Sequence, residues 1–110
     1  MGAVYSAYDE ALDRDVALKF LRQAGTGSSG PEDQARMIRE ARAMAQLSHP
    51  NVLPIYDVYA DGDDVVIAME LVKGVTLARW LEQQHSWTEI VDIFIEAGRG
   101  LQHAHEHDLV

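Results

Sequence analysis

The chain of 110 residues contains no cysteine, and its 9 lysine and arginine residues are outnumbered by 18 aspartate and glutamate residues. The absence of cysteine excludes a disulfide framework, a thiolate metal site and a cysteine nucleophile. The net charge of −9 would repel a phosphate backbone or an anionic membrane surface. We therefore expect no nucleic-acid partner.

Long apolar runs are also missing. The longest uncharged stretch, residues 43–56, is interrupted by Pro50 and Pro54, and a membrane-spanning helix needs about 20 apolar residues. The first residues show neither the basic start nor the apolar stretch of a secretory signal. These features predict no membrane segment in this chain and a cytoplasmic location. The 47% content of hydrophobic residues is sufficient for the core of one domain.

Alternating patterns predict two antiparallel hairpins. Residues 3–8 and 15–21 alternate across a polar, turn-like segment and form the first hairpin. Residues 52–59 and 65–71 form the second, around the turn at residues 61–64.

Helical patterns fill most of the remaining chain. Residues 31–47 are rich in helix formers, share one apolar face and begin with a proline, which is favoured at the first helical position. A short helix is indicated by Leu77, Trp80 and Leu81, and Ser86-Trp87-Thr88-Glu89 is a capping box that opens a longer helix. The change from strands to helices at about residue 73 predicts a boundary between residues 1–72 and 73–110.

Lys19 and Glu40 are the candidate charged pair. The period of two places Lys19 on the same strand face as the small residue Ala17. Glu40 projects from the apolar stripe of the first helix, and a carboxylate that faces a core needs a cationic partner. Two simpler alternatives remain open, an edge-strand lysine that faces water and local pairing of Glu40 with Arg36 or Arg39.

Several short segments resemble the signature of the protein kinase family, in identity, order and spacing. The matching segments are Gly2-Ala3-Val4-Tyr5, Ala17-Leu18-Lys19, Arg39-Glu40-Ala41, His49-Pro50-Asn51-Val52, Met69-Glu70-Leu71-Val72 and Gly100-Leu101-Gln102-His103-Ala104-His105. Each segment is weak evidence alone, but the ordered set spans nearly the whole chain and is most similar to bacterial serine/threonine kinases of eukaryotic type.

The resemblance implies an α+β fold: a kinase-like small lobe, made of an antiparallel sheet and one helix, followed by the first helices of the large helical lobe. It implies ATP and Mg²⁺ as cofactors, and a protein substrate for the full-length parent. Lys19 would hold the ATP phosphates and Glu40 would position that lysine. The residues implied at the nucleotide are Gly2 in the glycine-rich loop, Val4 and Ala17 over the adenine, Met69 as gatekeeper, and Glu70 and Val72 at the adenine edge.

The chain also departs from the family pattern. Only the last glycine of the glycine-rich loop, Gly2, is present, and Val110 falls where the catalytic loop should begin. The catalytic aspartate and the Mg²⁺ ligands are thus expected outside this chain, which alone should be inactive. The apolar face around Val91 and Phe94 would lack its usual partners, so self-association is expected. The alternative function is a non-catalytic interaction or regulatory module, or the remnant of a damaged gene.

Two other motifs suggest different chemistry. Residues 25–30 read G-x-G-x-x-G between a strand and a helix, as in a dinucleotide-binding domain, but the hairpin that follows does not fit a βαβ crossover. His103 and His107 would share a helical face, as metal ligands can, although no third ligand is evident. We therefore predict no metal site and interpret residues 25–30 as a Gly/Ser connector.

Overall fold

The protein is described here from a computed structural model, which describes residues 3–21 and 30–109. The elements in this part of the chain are β1 (Val4–Asp9), β2 (Arg14–Leu21), α1 (Pro31–Ala45), β3 (Ile55–Asp61), β4 (Asp64–Glu70), α2 (Leu77–Trp80) and α3 (Trp87–Glu106). The strands form one antiparallel sheet in the order β1-β2-β4-β3. The expected α+β architecture is therefore confirmed.

Both predicted hairpins are present, and each turn uses residues that tolerate its backbone angles. In the β1–β2 loop, the Asp9 carboxylate accepts hydrogen bonds from the main-chain N–H groups of Ala11 and Leu12. Asp13 adopts a positive φ of 51°, a conformation that aspartate enters more readily than most residues. Gly62 has a φ of 60° at the first central position of the β3–β4 turn, where a type II′ turn requires glycine.

The core lies between α1 and the sheet. Ala41 of α1 packs with Val58, Val65 and Ile67, all of them buried. The half-buried apolar side chains that surround this cluster are Leu21, Met37, Ile38, Ile55 and Met69. At about 1.5–3 kcal/mol for each fully buried Val or Ile side chain, this cluster is the main apolar contribution that joins α1 to the sheet.

Three predicted boundaries were wrong by two or three residues. Helix α1 ends at Ala45, two residues before Leu47. Strand β3 spans Ile55–Asp61, although residues 52–59 were expected. Pro54 accounts for the later start of β3, because proline cannot donate to a sheet ladder. Pro54 instead contributes its carbonyl oxygen, which accepts the Glu70 N–H at 3.1 Å.

Helix α3 meets the preceding part of the molecule at the loop that follows α1. The Asn51 side-chain amide donates to the main-chain oxygen of Glu96 at 2.9 Å. Gly100 passes so close that a Cβ atom there would lie 2.5 Å from the Asn51 oxygen. Most large apolar side chains of α3, including Phe94, remain exposed. Within residues 3–21 and 30–109, no helix combines the length and apolarity needed to cross a bilayer.

Candidate functional site

Lys19 lies on an interior strand of the sheet. Strand β2 is paired on both sides, and Lys19 is in register with Val4 of β1 and with Ile67 of β4. The alternative of an edge-strand lysine is therefore wrong. The side chain is half-buried, so its positive charge lies beside apolar surface where water screens it less.

Lys19 lines a cavity of about 460 Å³ between the sheet, the end of α1, the loop that follows α1 and the C-terminal half of α3. The other described residues that line it are uncharged: Met44, Leu47, Asn51, Val52, Leu53, Ile55, Ile67, Met69, Gly100, Leu101, Ala104 and Leu109. Among the described lining residues, the Lys19 ammonium is thus the one formal charge. An apolar cavity with a single cation favours a ligand that carries negative charge.

Glu40 is not brought to Lys19. The carboxylate is exposed, and no ion pair joins it to Lys19 within the described residues. The expectation that Glu40 faces the core is wrong, because the neighbouring Ala41 occupies the buried position, at 2% exposure. The local alternatives are also not formed in this part of the chain, since Arg36 pairs with Asp33 at 4.0 Å.

The three sheet residues expected at the adenine lie near one another. Ala17 shares the Lys19 face of β2, is 5% exposed and is in register with the half-buried Met69 of β4. Val4 is directly across from Lys19 on β1 and is 58% exposed. The structure therefore brings Val4, Ala17, Lys19 and Met69 to one region of the sheet. Ala17 is packed, whereas Val4 presents apolar surface to solvent.

The segment after β4 offers main-chain groups. The Glu70 N–H is used by the Pro54 oxygen, and the Glu70 side chain is exposed. The N–H of Val72 makes no hydrogen bond within the described part of the chain, and its side chain is 64% exposed. The remaining predicted residue, Gly2, lies outside the described residues, as do residues 25–29 of the G-x-G-x-x-G segment.

Histidine contacts extend beyond the pair noted in the sequence. His103 and His107 are neighbours, with ring centroids 4.4 Å apart, and His49 from the loop after α1 lies 5.0 Å from His103. The His49 Nδ1 accepts the Asn51 N–H, and the His107 Nδ1 lies 2.9 Å from the His103 carbonyl oxygen. In residues 3–21 and 30–109, no group of three or more histidine, aspartate or glutamate side chains is arranged to hold a metal ion.

The predicted capping box is present at the start of α3. The Ser86 hydroxyl accepts the Glu89 N–H at 3.2 Å, and the Glu89 carboxylate accepts the Ser86 N–H at 3.2 Å. The backbone hydrogen bond from Ser86 is the largest of the effects that hold the pKa of Glu89 below its ordinary value. The Ser86 hydroxyl and His85 act in the same direction, while partial desolvation opposes them. Sequence reasoning identified Ser86 and Glu89 but missed His85, whose only local signal is its position next to the cap.

Comparison with known proteins identifies one family. The family model for the protein kinase domain matches residues 1–110. The serine/threonine-protein kinase PrkC of Bacillus subtilis is 35% identical over 112 aligned positions, which cover 100% of this chain and 17% of that protein. PknE of Mycobacterium bovis is 38% identical, over 96% of this chain and 19% of its own length. PknD of Chlamydia pneumoniae is 42% identical, over 74% of this chain and 9% of its own length.

A solved structure matches the fold over the same extent. The crystal structure of the Mycobacterium tuberculosis PknI kinase domain superposes with a TM-score of 0.82 and 25% sequence identity, over 100% of this chain and 45% of that one. The chain thus spans less than a fifth of the length of the curated relatives named above, and under half of the solved domain.

Proposed function

Because this chain belongs to the protein kinase family, we propose that it is the ATP-binding portion of a serine/threonine protein kinase. The observation that carries this proposal is the position of Lys19, which is half-buried on an interior strand beside an apolar cavity. Lys19 has no carboxylate partner within the described residues, so its charge remains available for a phosphate group.

The residues present fit a nucleotide in their chemistry. Lys19 would bind the α- and β-phosphates, while Val4 and Ala17 would cover the adenine ring. The Glu70 carbonyl and the Val72 N–H would bind the adenine edge, and the absence of another partner for the Val72 N–H within the described residues supports this role. Met69 would close the back of the pocket as gatekeeper. Gly2 would contribute to the glycine-rich loop.

In the parent kinase we propose transfer of the γ-phosphoryl group of ATP to a serine or threonine hydroxyl of a protein substrate, with ADP as the second product. Mg²⁺ would be held by residues outside this chain and would neutralise phosphate charge. The contribution of the present residues is to orient ATP and to stabilise the negative charge of its phosphates. We propose that this chain alone does not catalyse the transfer.

Glu40 would position Lys19 only after a rearrangement. The two side chains are separate in this structure, so we propose that α1 or the Glu40 side chain moves when nucleotide binds. If so, Glu40→Gln should weaken catalysis by the extended chain more than it weakens nucleotide binding, because a positioning residue acts through Lys19. Equal nucleotide affinity and equal phosphoryl transfer in the two proteins would contradict this role.

The direct test is nucleotide affinity, measured by calorimetry on this chain with Lys19→Ala. Loss of a charge-assisted contact worth about 1.5–3 kcal/mol should raise the Kd for ATP by roughly 10- to 100-fold. Lys73→Ala is the matched control, because Lys73 is exposed and pairs with Asp15 at 3.7 Å outside the cavity. Unchanged affinity after loss of Lys19 would refute the assigned site.

A non-catalytic interaction module is the second candidate. The separation of Lys19 from Glu40 and the exposed apolar side chains of α3 favour it. Phosphotransfer by the chain extended through the catalytic loop separates the two candidates. Turnover that depends on Lys19 supports the kinase, whereas absence of turnover in a folded, ATP-binding protein supports the module.

A further inference from the structure

The corner between α2 and α3 contains a histidine enclosed by the two helices. The His85 side chain is only 11% exposed. Its ring stacks on the Trp80 ring, with centroids 3.5 Å apart and an interplanar angle of 16°. His85 follows α2 and immediately precedes Ser86, the residue that caps α3, so the ring lies where the two helices meet.

Both ring nitrogens of His85 face groups that only accept hydrogen bonds. Nε2 lies 2.7 Å from the main-chain oxygen of Trp80, and Nδ1 lies 3.5 Å from Oε2 of Glu89. A neutral imidazole carries one N–H and can satisfy one of these acceptors, whereas an imidazolium carries two and can satisfy both. Both acceptors therefore face an N–H group only when His85 is protonated. A charged ring would also interact favourably with the face of Trp80.

The Glu89 carboxylate divides its two oxygens between His85 and the cap. Oε1 accepts from the Ser86 N–H at 3.2 Å and from the Ser86 hydroxyl at 3.0 Å. Oε2 is the oxygen that faces His85. A protonated His85 would thus join the last turn of α2, through the Trp80 carbonyl, to the capping box of α3. Removal of the proton leaves the Nδ1 lone pair 3.5 Å from a carboxylate oxygen, which is repulsive.

The other charged side chains near this corner do not replace the charge of His85 or Glu89. Arg79 of α2 and Glu82 of the connection are exposed, and neither forms an ion pair with His85 within the described residues. Across the corner, α3 contributes the Glu89 carboxylate, and α2 contributes the Trp80 carbonyl and ring. The charge state of the corner is therefore set by His85 and Glu89 together.

We propose that His85 is a proton-dependent latch between α2 and α3, closed when its ring is protonated and Glu89 is ionised. The latch is released as the pH rises and His85 loses its proton. It is also released in acid, when Glu89 takes up a proton and no longer attracts the ring. The corner is consequently most ordered in the pH interval where both charges are present.

Trp80 provides a direct optical test, because its ring is stacked on His85. Trp87→Phe removes the second tryptophan, which is 77% exposed. In this background, Trp80 emission should show a reversible transition as the pH rises and His85 loses its proton. The same transition should be lost in Trp87→Phe/His85→Phe, which keeps an aromatic ring against Trp80 and cannot be protonated. A transition that persists without His85, or no transition when His85 is present, would overturn the latch.

A second variant avoids replacing His85. Glu89→Gln in the Trp87→Phe background retains an N3 residue compatible with a capping box but removes the negative charge. The Trp80 transition should then move to lower pH, because the protonated ring loses its anionic partner. Glu106→Gln, at the other end of α3, makes the same change in net charge and should leave the transition in place. If the Trp80 transition occurs at the same pH in Glu89→Gln and Glu106→Gln, Glu89 is not the partner of His85 and the proposal is refuted.

Discussion

Gly100 makes the closest contact between α3 and the loop that follows α1. An added Cβ would lie 2.5 Å from the Asn51 oxygen and 3.1 Å from its carbonyl carbon, and backbone atoms cannot easily move away. We expect Gly100→Ala to lower the free energy of unfolding by about 1–3 kcal/mol, the usual cost of overpacking. The change in unfolding free energy can be measured by denaturant-induced unfolding, followed by circular dichroism.

Gly98 on the same helix is the matched control. A Cβ at Gly98 has no neighbouring atom within 4 Å. Gly98→Ala should therefore raise the stability by up to about 1 kcal/mol, since alanine loses less backbone entropy in a helix. If both alanine variants change stability in the same direction and by the same amount, the contact with Asn51 does not constrain α3.

The capping box predicts a dependence of α3 on pH. Hydrogen bonds from Ser86 lower the pKa of Glu89, so the ionised carboxylate stabilises the fold above the pKa it has when unfolded. That contribution is lost as the pH falls through the lowered folded pKa. Helical circular dichroism should accordingly decrease at acid pH less steeply in Glu89→Gln than in the natural chain, and an identical profile would contradict the assignment.

Ser86→Ala isolates the cap itself. Loss of the Ser86 hydroxyl should cost about 1 kcal/mol of unfolding free energy, because the first turn of α3 loses its side-chain acceptor. Thr88→Ala is a suitable comparison, because Thr88 lies in the first turn of α3, two residues after Ser86. No hydrogen bond to the Thr88 side chain occurs within the described residues. Equal losses in the two variants would indicate a general effect on α3.

At the scale of elements, β4 is the strand that unites the sheet with α1. It pairs with β2 and β3, and Ile67 belongs to the buried cluster that contacts α1. Ile67→Ala should lower the unfolding free energy by about 2–5 kcal/mol through lost burial and a residual cavity. Val75→Ala, at a site that is 63% exposed, should change it by no more than about 0.5 kcal/mol. Comparable losses of unfolding free energy in Ile67→Ala and Val75→Ala would show that Ile67 is not part of the main core.

The elements themselves were largely predictable because their signals are local. Alternating residues predicted both hairpins, and the Ser86–Glu89 spacing predicted the start of α3. The C-terminal end of α1 and the beginning of β3 were less predictable, because apolar residues continue through Leu47 and Val52, although the helix ends at Ala45 and the strand begins at Ile55.

At the scale of the molecule, exposed apolar surface and high net charge act in opposite directions. Phe94 and Ile95 of α3 are about half exposed, whereas the charge of −9 makes copies repel one another. We propose weak self-association that increases with salt, as screening reduces the repulsion. Sedimentation velocity at several protein and salt concentrations should show it, and Phe94→Gln should reduce it more than Val75→Gln. A monomer under all conditions would refute it.

Periodicity alone assigned Lys19, Ala17 and the residues of the two hairpins to their strands and faces. The resemblance to the protein kinase family depended instead on the identity, order and spacing of short motifs. Tertiary packing decided which side chains meet. Successive residues on a helix point about 100° apart, so a small rotation of α1 buries Ala41 and exposes Glu40. In the same way, only the meeting of α2 and α3 encloses His85 between Trp80 and Glu89. Local patterns reflect the geometry of one element, whereas these contacts depend on the relative orientation of two.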